Sequence, residues 1–181
     1  MAFPSSRLSP QDAADVCELL QHRLIALIDL QLTLKHVHWN VVGSSFIGVH
    51  QMLDPQVDSV SAMVDQTAER IATLGGEPLG TPGAIEKGRT WDDYSVQRAD
   101  AIAHLSALDL VYAGVLGDHG KAIERLETLD PVTQDMVIEQ TEALEMHQWF
   151  VRAHLADKGG NLANAGAHTE QEAVEAIESS S

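Results

Sequence analysis

The sequence predicts an all-α protein, an antiparallel four-helix bundle with one long connection between its second and third helices. Three observations carry this. Apolar residues recur at helical spacing over long stretches bounded by capping and stop residues, no stretch alternates with the two-residue period of a strand, and a Gly- and Pro-rich segment divides the helices two and two. The 181 residues, 44% hydrophobic and poor in aromatics, suffice for one core.

Ser9, Pro10 and Asp12 mark the first helix start, with a capping side chain, a proline in the first turn and a carboxylate three residues after the cap. Val16, Leu19, Leu20, Leu24, Leu27 and Ile28 form its apolar stripe, which continues to about Trp39. A turn at Gly43-Ser44-Ser45 leads into a second helix, about Phe46 to Leu74, stopped by Gly75-Gly76. So tight a turn makes the two helices antiparallel neighbours. Pro55 removes one backbone bond inside the second helix and should bend it. From Gly75 to Tyr94 the chain can span up to ~65 Å if extended. That exceeds the ~43 Å length of a helix of about 29 residues, so a lengthwise crossover is within reach.

A third helix is expected from about Ser95 to Leu129, weakened by Gly114, Gly117 and Gly120, with a break near Gly117 as an alternative. Asp130-Pro131 opens a fourth, closed by Gly159-Gly160. Residues 1–158 thus read as one domain and 159–181 as an acidic tail. From Asn161 to Ser181 there are four glutamates and no Lys or Arg, and the tail is expected to be flexible. One long middle connection gives the bundle a ferritin-like order.

Net charge is −16, from 27 acidic and 11 basic residues, which argues against nucleic acid as a partner held by charge attraction. The lone Cys17 excludes an internal disulfide and, lying among apolar residues, reads as an inert buried thiol of a reducing compartment. The N-terminal MAFPSSRLSP lacks the apolar core of a secretory leader, and no run of eighteen apolar residues occurs. A soluble, cytoplasmic protein with no membrane partner is expected.

The chemistry lies in the second helix. His50, Asp54, Asp65 and Glu69 fall at roughly 0°, 40°, 60° and 100° around its axis, on one face, yet His50 and Asp65 are roughly 22 Å apart along it. Metal–ligand bonds are ~2.0 to 2.2 Å, so one chain cannot close one site from both pairs. The pairs are mirror-placed about the point between Ser59 and Val60. An antiparallel crossing of two copies there brings His50 of one opposite Glu69 of the other, and Asp54 opposite Asp65. Ser59, Ser61 and Ala62 are small enough for a close crossing. His38, at the end of the first helix, can reach the His50 end. Two imidazoles and three carboxylates without thiolate suit iron(II) or manganese(II), with zinc as a competitor. The plainer alternative is the solvated stripe of an amphipathic helix. No glutamate is followed three residues later by a histidine, so the Glu-x-x-His site inside a single bundle is absent.

The segments KHVHWNVVG, FIGVHQMLD and AERIATLGG resemble the Dps family of miniferritins in residue type and spacing, and the helix order agrees over about residues 9 to 158. The resemblance implies that His38, His50 and Asp54 of one chain and Asp65 and Glu69 of its two-fold mate are ferroxidase ligands. It implies a hollow twelve-subunit homo-oligomer that oxidises iron(II) to iron(III), preferably with hydrogen peroxide, and stores ferric mineral. Trp39 resembles the tryptophan that takes up oxidising equivalents beside the metal, or is a core or interface aromatic. Asp130 and Asp135 could line an acidic iron-entry pore, although Asp130 also reads as a plain helix cap. Two departures matter. Gln51 stands where many relatives have glutamate, and the N-terminal arm has only Arg7 while the C-terminal tail has no base, which argues against DNA binding through basic tails. His36 lies about 200° around the helix from His38 and is no co-ligand. His22, His104, His119, His147, His154 and His168 read as packed or surface residues. Competing readings are a metal-dependent amide or ester hydrolase at the same site, and a non-catalytic nucleoid protein.

Overall fold

The computed structural model describes residues 7–178. Residues 1–6, on which the reading of the N-terminus partly rests, and the last three of the tail lie outside the described residues. The order is α1 (Pro10–Asn40), β1 (Val41–Val42), α2 (Phe46–Thr73), α3 (Pro82–Gly88), β2 (Ala99–Asp100), α4 (Ala101–Leu129), α5 (Pro131–Leu155) and α6 (Glu170–Glu178).

α1 begins at its predicted cap: Ser9 Oγ accepts from the Asp12 backbone N–H, and Pro10 sits where a missing N–H leaves nothing unsatisfied. α2 runs unbroken past the exposed Pro55. It ends where Gly75 takes φ 90°, a left-handed conformation that glycine adopts without strain.

The crossover runs lengthwise along α1. Near the start of α1, Gln21 holds the Leu79 backbone through two 2.9 Å hydrogen bonds; near its end, the Val96 carbonyl accepts from His36 Nε2 at 2.9 Å. Between them α3 lies so close to α1 that a Cβ on Gly88 would fall 2.3 Å from Ile25 Cδ1. The crossover finishes as β2, paired in parallel with β1, Val41 opposite Ala99. α4 therefore starts beside the end of α1 and runs antiparallel to it, which gives the up-down-down-up order of a ferritin-like bundle.

One boundary differs from expectation. The third long helix starts at Ala101 and not Ser95, because the chain up to the short β2 stays irregular beside α1 and Asp100 supplies a better cap, accepting from the Ala103 N–H at 3.0 Å. It is unbroken at Gly117; Cβ atoms at Gly114, Gly117 and Gly120 would meet nothing within 4 Å, so these glycines thin the surface and do not interrupt the helix. α4 is long and apolar enough to cross a membrane, but half of its most apolar window is buried, with Leu105, Leu108 and Tyr112 fully enclosed. Its apolarity belongs to the bundle core.

The tail is the larger revision. Asn164 is buried and donates to the Ser106 carbonyl (3.2 Å) and to Asp109 (3.1 Å) on α4. α6 then packs on α4, with Ala173 fully buried. Thr169 accepts from the Glu172 N–H while Glu172 accepts from the His168 N–H, a near relative of the reciprocal capping box, and Glu170 pins the helix to Ser95 through its N–H and hydroxyl, both at 2.6 Å.

Candidate metal centre

Residues 38 and 50 lie equally far from Ser44, at the middle of the turn joining α1 to α2, so an antiparallel hairpin sets them face to face. The two rings stack with centroids 3.6 Å apart. Each binds the other's backbone: His38 Nδ1 lies 3.0 Å from the His50 carbonyl, and His50 Nδ1 lies 2.9 Å from the His38 carbonyl. A carbonyl only accepts, so both Nδ1 atoms donate, and Nε2 is the nitrogen that each neutral ring would offer to a metal. This is the outer-shell bond that fixes tautomer and orientation in metal-binding histidines.

Asp54, one helical turn beyond His50, completes a group whose ligand atoms all lie within 4.8 Å of one another. His38 is buried, while His50 and Asp54 are half-buried and reachable from solvent. Lys35, one turn before His38 on α1, donates to Asp54 Oδ1 at 2.9 Å. That hydrogen bond holds the Asp54 carboxyl below the usual carboxylate range. Sequence reading missed Lys35, although its i−3 spacing from His38 places it on the same helix face. Phe46 also went unnoticed; its ring covers His50 at 4.9 Å.

Asp65 and Glu69 are not part of this group. Both are exposed on α2, and neither forms a hydrogen bond or ion pair among the described residues. Trp39 points outward, 71% exposed, at the same end as Val42, Phe46 and Ile47, also exposed.

Asp130 takes the helix-cap role that the sequence also allows. Its side chain is fully buried as the α5 cap, accepting from the Thr133 N–H and hydroxyl and from Arg70, and paired with Arg7. Burial alone would raise its pKa, but Thr133, Arg70 and Arg7 outweigh that and hold it below the usual range. Asp135 is exposed on the first turns of α5. His36 turns away from the triad toward Val96, as expected.

Residues 17–158 match the ferritin-like domain of the Ferritin family. The chain is 58% identical over 174 residues to the "DNA protection during starvation protein" of Mycolicibacterium smegmatis, covering 96% of this chain and 95% of that protein. It belongs to the Dps family. Solved Dps structures agree: Mycobacterium smegmatis Dps superposes with a TM-score of 0.91 at 58% identity, covering 93% of this chain and 97% of that one. DpsA14 from Streptomyces coelicolor superposes with 0.86 at 55% identity, covering 89% and 95%. As a Dps, the chain is a miniferritin, and its two histidines and one carboxylate are close enough together to hold a metal ion.

Proposed function

We propose that this Dps oxidises iron(II) at a site shared between two subunits, with hydrogen peroxide as preferred oxidant, and stores the iron(III) product inside a twelve-subunit shell, thereby limiting oxidative damage. The observation that carries this is the divided ligand set. His38, His50 and Asp54 are gathered with both imidazole tautomers fixed, whereas Asp65 and Glu69, on the same helix, have no partner among the described residues of their own chain. Exposed Trp39, Val42, Phe46 and Ile47 beside the triad suit a subunit contact.

Iron(II) is substrate and cargo. Two iron(II) ions reduce one peroxide to two waters, taking up two protons. Nε2 of His38 and His50 bind and orient the ion, Asp54 neutralises its charge, and the partner copy adds two more carboxylates. Lys35 keeps Asp54 ionised and in place until a divalent cation displaces the ammonium, one cation replacing another, so no unbalanced charge is left behind. Exposed Asp58, Asp65 and Glu69 on α2 and Asp135, Glu139, Glu142 and Glu145 on α5 form an acidic surface suited to iron. The same acidity argues against duplex DNA as a partner. The half-buried Cys17 fits a reducing cytoplasm.

The test is anaerobic iron(II) loading, a stoichiometric peroxide pulse, and sizing of the particle. A ferric signal that stays with a large assembly is expected. No ferric signal would overturn the reading, and ester or amide turnover with zinc and no oxidant would favour a hydrolase. Gel retardation of duplex DNA at low salt should show no salt-sensitive shift.

A further inference from the structure

The chain has two tyrosines, and they sit in opposite chemical settings. Tyr112 is fully buried and donates to the side-chain amide oxygen of Gln56 at 2.7 Å, an acceptor too weak in base strength to take its proton. Tyr94, half-buried on the crossover, has its hydroxyl 3.1 Å from Nδ1 of His104, and the two rings lie nearly parallel, 10° between planes, with centroids 6.2 Å apart. His104 is fully buried, and nothing in the metal site uses it.

We propose that Tyr94 and His104 form a one-electron relay: a one-electron oxidant of the hydroxyl-radical class takes an electron from Tyr94, whose phenolic proton passes along the hydrogen bond to His104 Nδ1. The hydroxyl radical becomes hydroxide, Tyr94 a neutral phenoxyl radical, and His104 an imidazolium. An electron from a later donor, such as a thiol or iron(II), restores the phenol as the proton returns. The harmful one-electron step is thereby held on a recoverable side chain.

The surroundings suit both ends of this step. Burial lowers the His104 pKa to about 4, so at neutral pH the ring is uncharged and free to accept. Once it has accepted, the backbone carbonyls of Asn40 and Gln97 and the carboxylate of Asp100 favour the cation against burial and the charge of His36, and because burial wins the proton is held only weakly and returns readily. Those carbonyls also favour an N–H on the ring, although neither reaches Nε2 with regular hydrogen-bond geometry. Burial and the charge of Glu170 raise the Tyr94 pKa, so the phenol keeps its proton until an electron leaves. Tyr94 is also reachable: its ring lines an open cavity of about 660 Å³ with Trp91, Asp29 and Glu170. It rests edge-on against His36 at 5.7 Å, on the stretch of α1 that carries His38.

The test uses iron-free, assembled protein, so its outcome is independent of the metal site. Azide radicals from pulse radiolysis oxidise the exposed tryptophans, and transient absorption with freeze-quench electron paramagnetic resonance follows the hole. In the native chain a tyrosyl radical should appear as tryptophan radicals decay. It should be lost in Tyr94→Phe, kept in Tyr112→Phe, and formed more slowly in deuterated water. His104→Gln should lower its yield. Because that change in the core can disturb folding, native protein with ¹⁵N-histidine supplies an independent reading, in which the radical should show coupling to one imidazole. A radical that survives Tyr94→Phe, one with no imidazole coupling, or a hole that stays on tryptophan in the native chain overturns the proposal.

Discussion

The two ends of α2 carry the same kinds of side chain in opposite states. At the first end, His50 and Asp54 are met by His38 and Lys35 from α1, and every polar atom but the two Nε2 atoms and the exposed carboxylate oxygen is engaged. At the other end, Asp65 and Glu69 face solvent with no hydrogen bond or ion pair among the described residues, while Arg70 beside them is committed to Asp130. Ligand-type residues on one helix face are therefore not equivalent. One set is preorganised by a hairpin neighbour, and the other, in the function proposed above, gains that neighbour from a second copy. The difference between a site and half a site lies in what packs opposite.

Removing ligands should break this comparison most strongly. His50→Ala or Asp54→Asn should weaken iron(II) binding and slow oxidation by on the order of 100-fold, with helix content unchanged in circular dichroism, because a half-exposed ligand contributes more to metal affinity than to folding. Asp65→Asn should slow oxidation comparably although it stands far from the triad in its own chain. A wild-type rate in Asp65→Asn would show that the triad works alone.

Asp130 gives the contrasting case of a carboxylate used for folding. Asp130→Asn should cost about 1 to 3 kcal/mol in denaturant unfolding, through loss of the charged partner to Arg70 and Arg7 although an amide oxygen can still cap the helix, while the oxidation rate per assembled site stays near wild type. Its folded pKa lies below the unfolded value. Its contribution is therefore complete above the ordinary carboxylate range and lost as pH falls through the lower, folded value. In the variant that part of the acid-induced loss of stability should be missing.

Lys35→Met should have the smallest effect. Without the ammonium the Asp54 carboxyl returns toward its ordinary pKa, and no resident cation has to be displaced. Iron(II) titration near neutral pH should show binding strengthened by about threefold, in keeping with an exposed ion pair. Weaker binding would mean that Lys35 orients Asp54 for the metal.

The bundle was legible because its signals are local. Ser9 with Pro10, Asp130 with Pro131, and Gly75 each act within one turn, and each sits where the sequence places it. The start of the third helix was misread because helical spacing from Ser95 onward competes with contacts made to α1, which a single segment does not reveal. The tail had a readable signal, Thr169 followed three residues later by Glu172, but its acidity drew the reading toward a solvated segment; Asn164 and Ala173 bury against an α4 surface that no local pattern announces. At the metal centre, types and spacing marked the ligands. The fixed tautomers, the Lys35 bond and the enclosure of Asp130 depend on neighbours brought in by the turn, the crossover and the α4–α5 corner.

The central claim, that one site is built from two chains, is tested most directly by mixing lesions. His50→Ala and Glu69→Ala homodimers each lack one ligand in every site. In a mixed dimer both lesions fall in one site and the other is whole. Co-expression or refolding together should restore oxidation to about a quarter of the wild-type level under random pairing, and to about half in isolated mixed dimers. Separately assembled variants mixed without subunit exchange should restore none. If verified mixed dimers show no recovery, His50 and Glu69 do not share a site, and the two-chain account is contradicted.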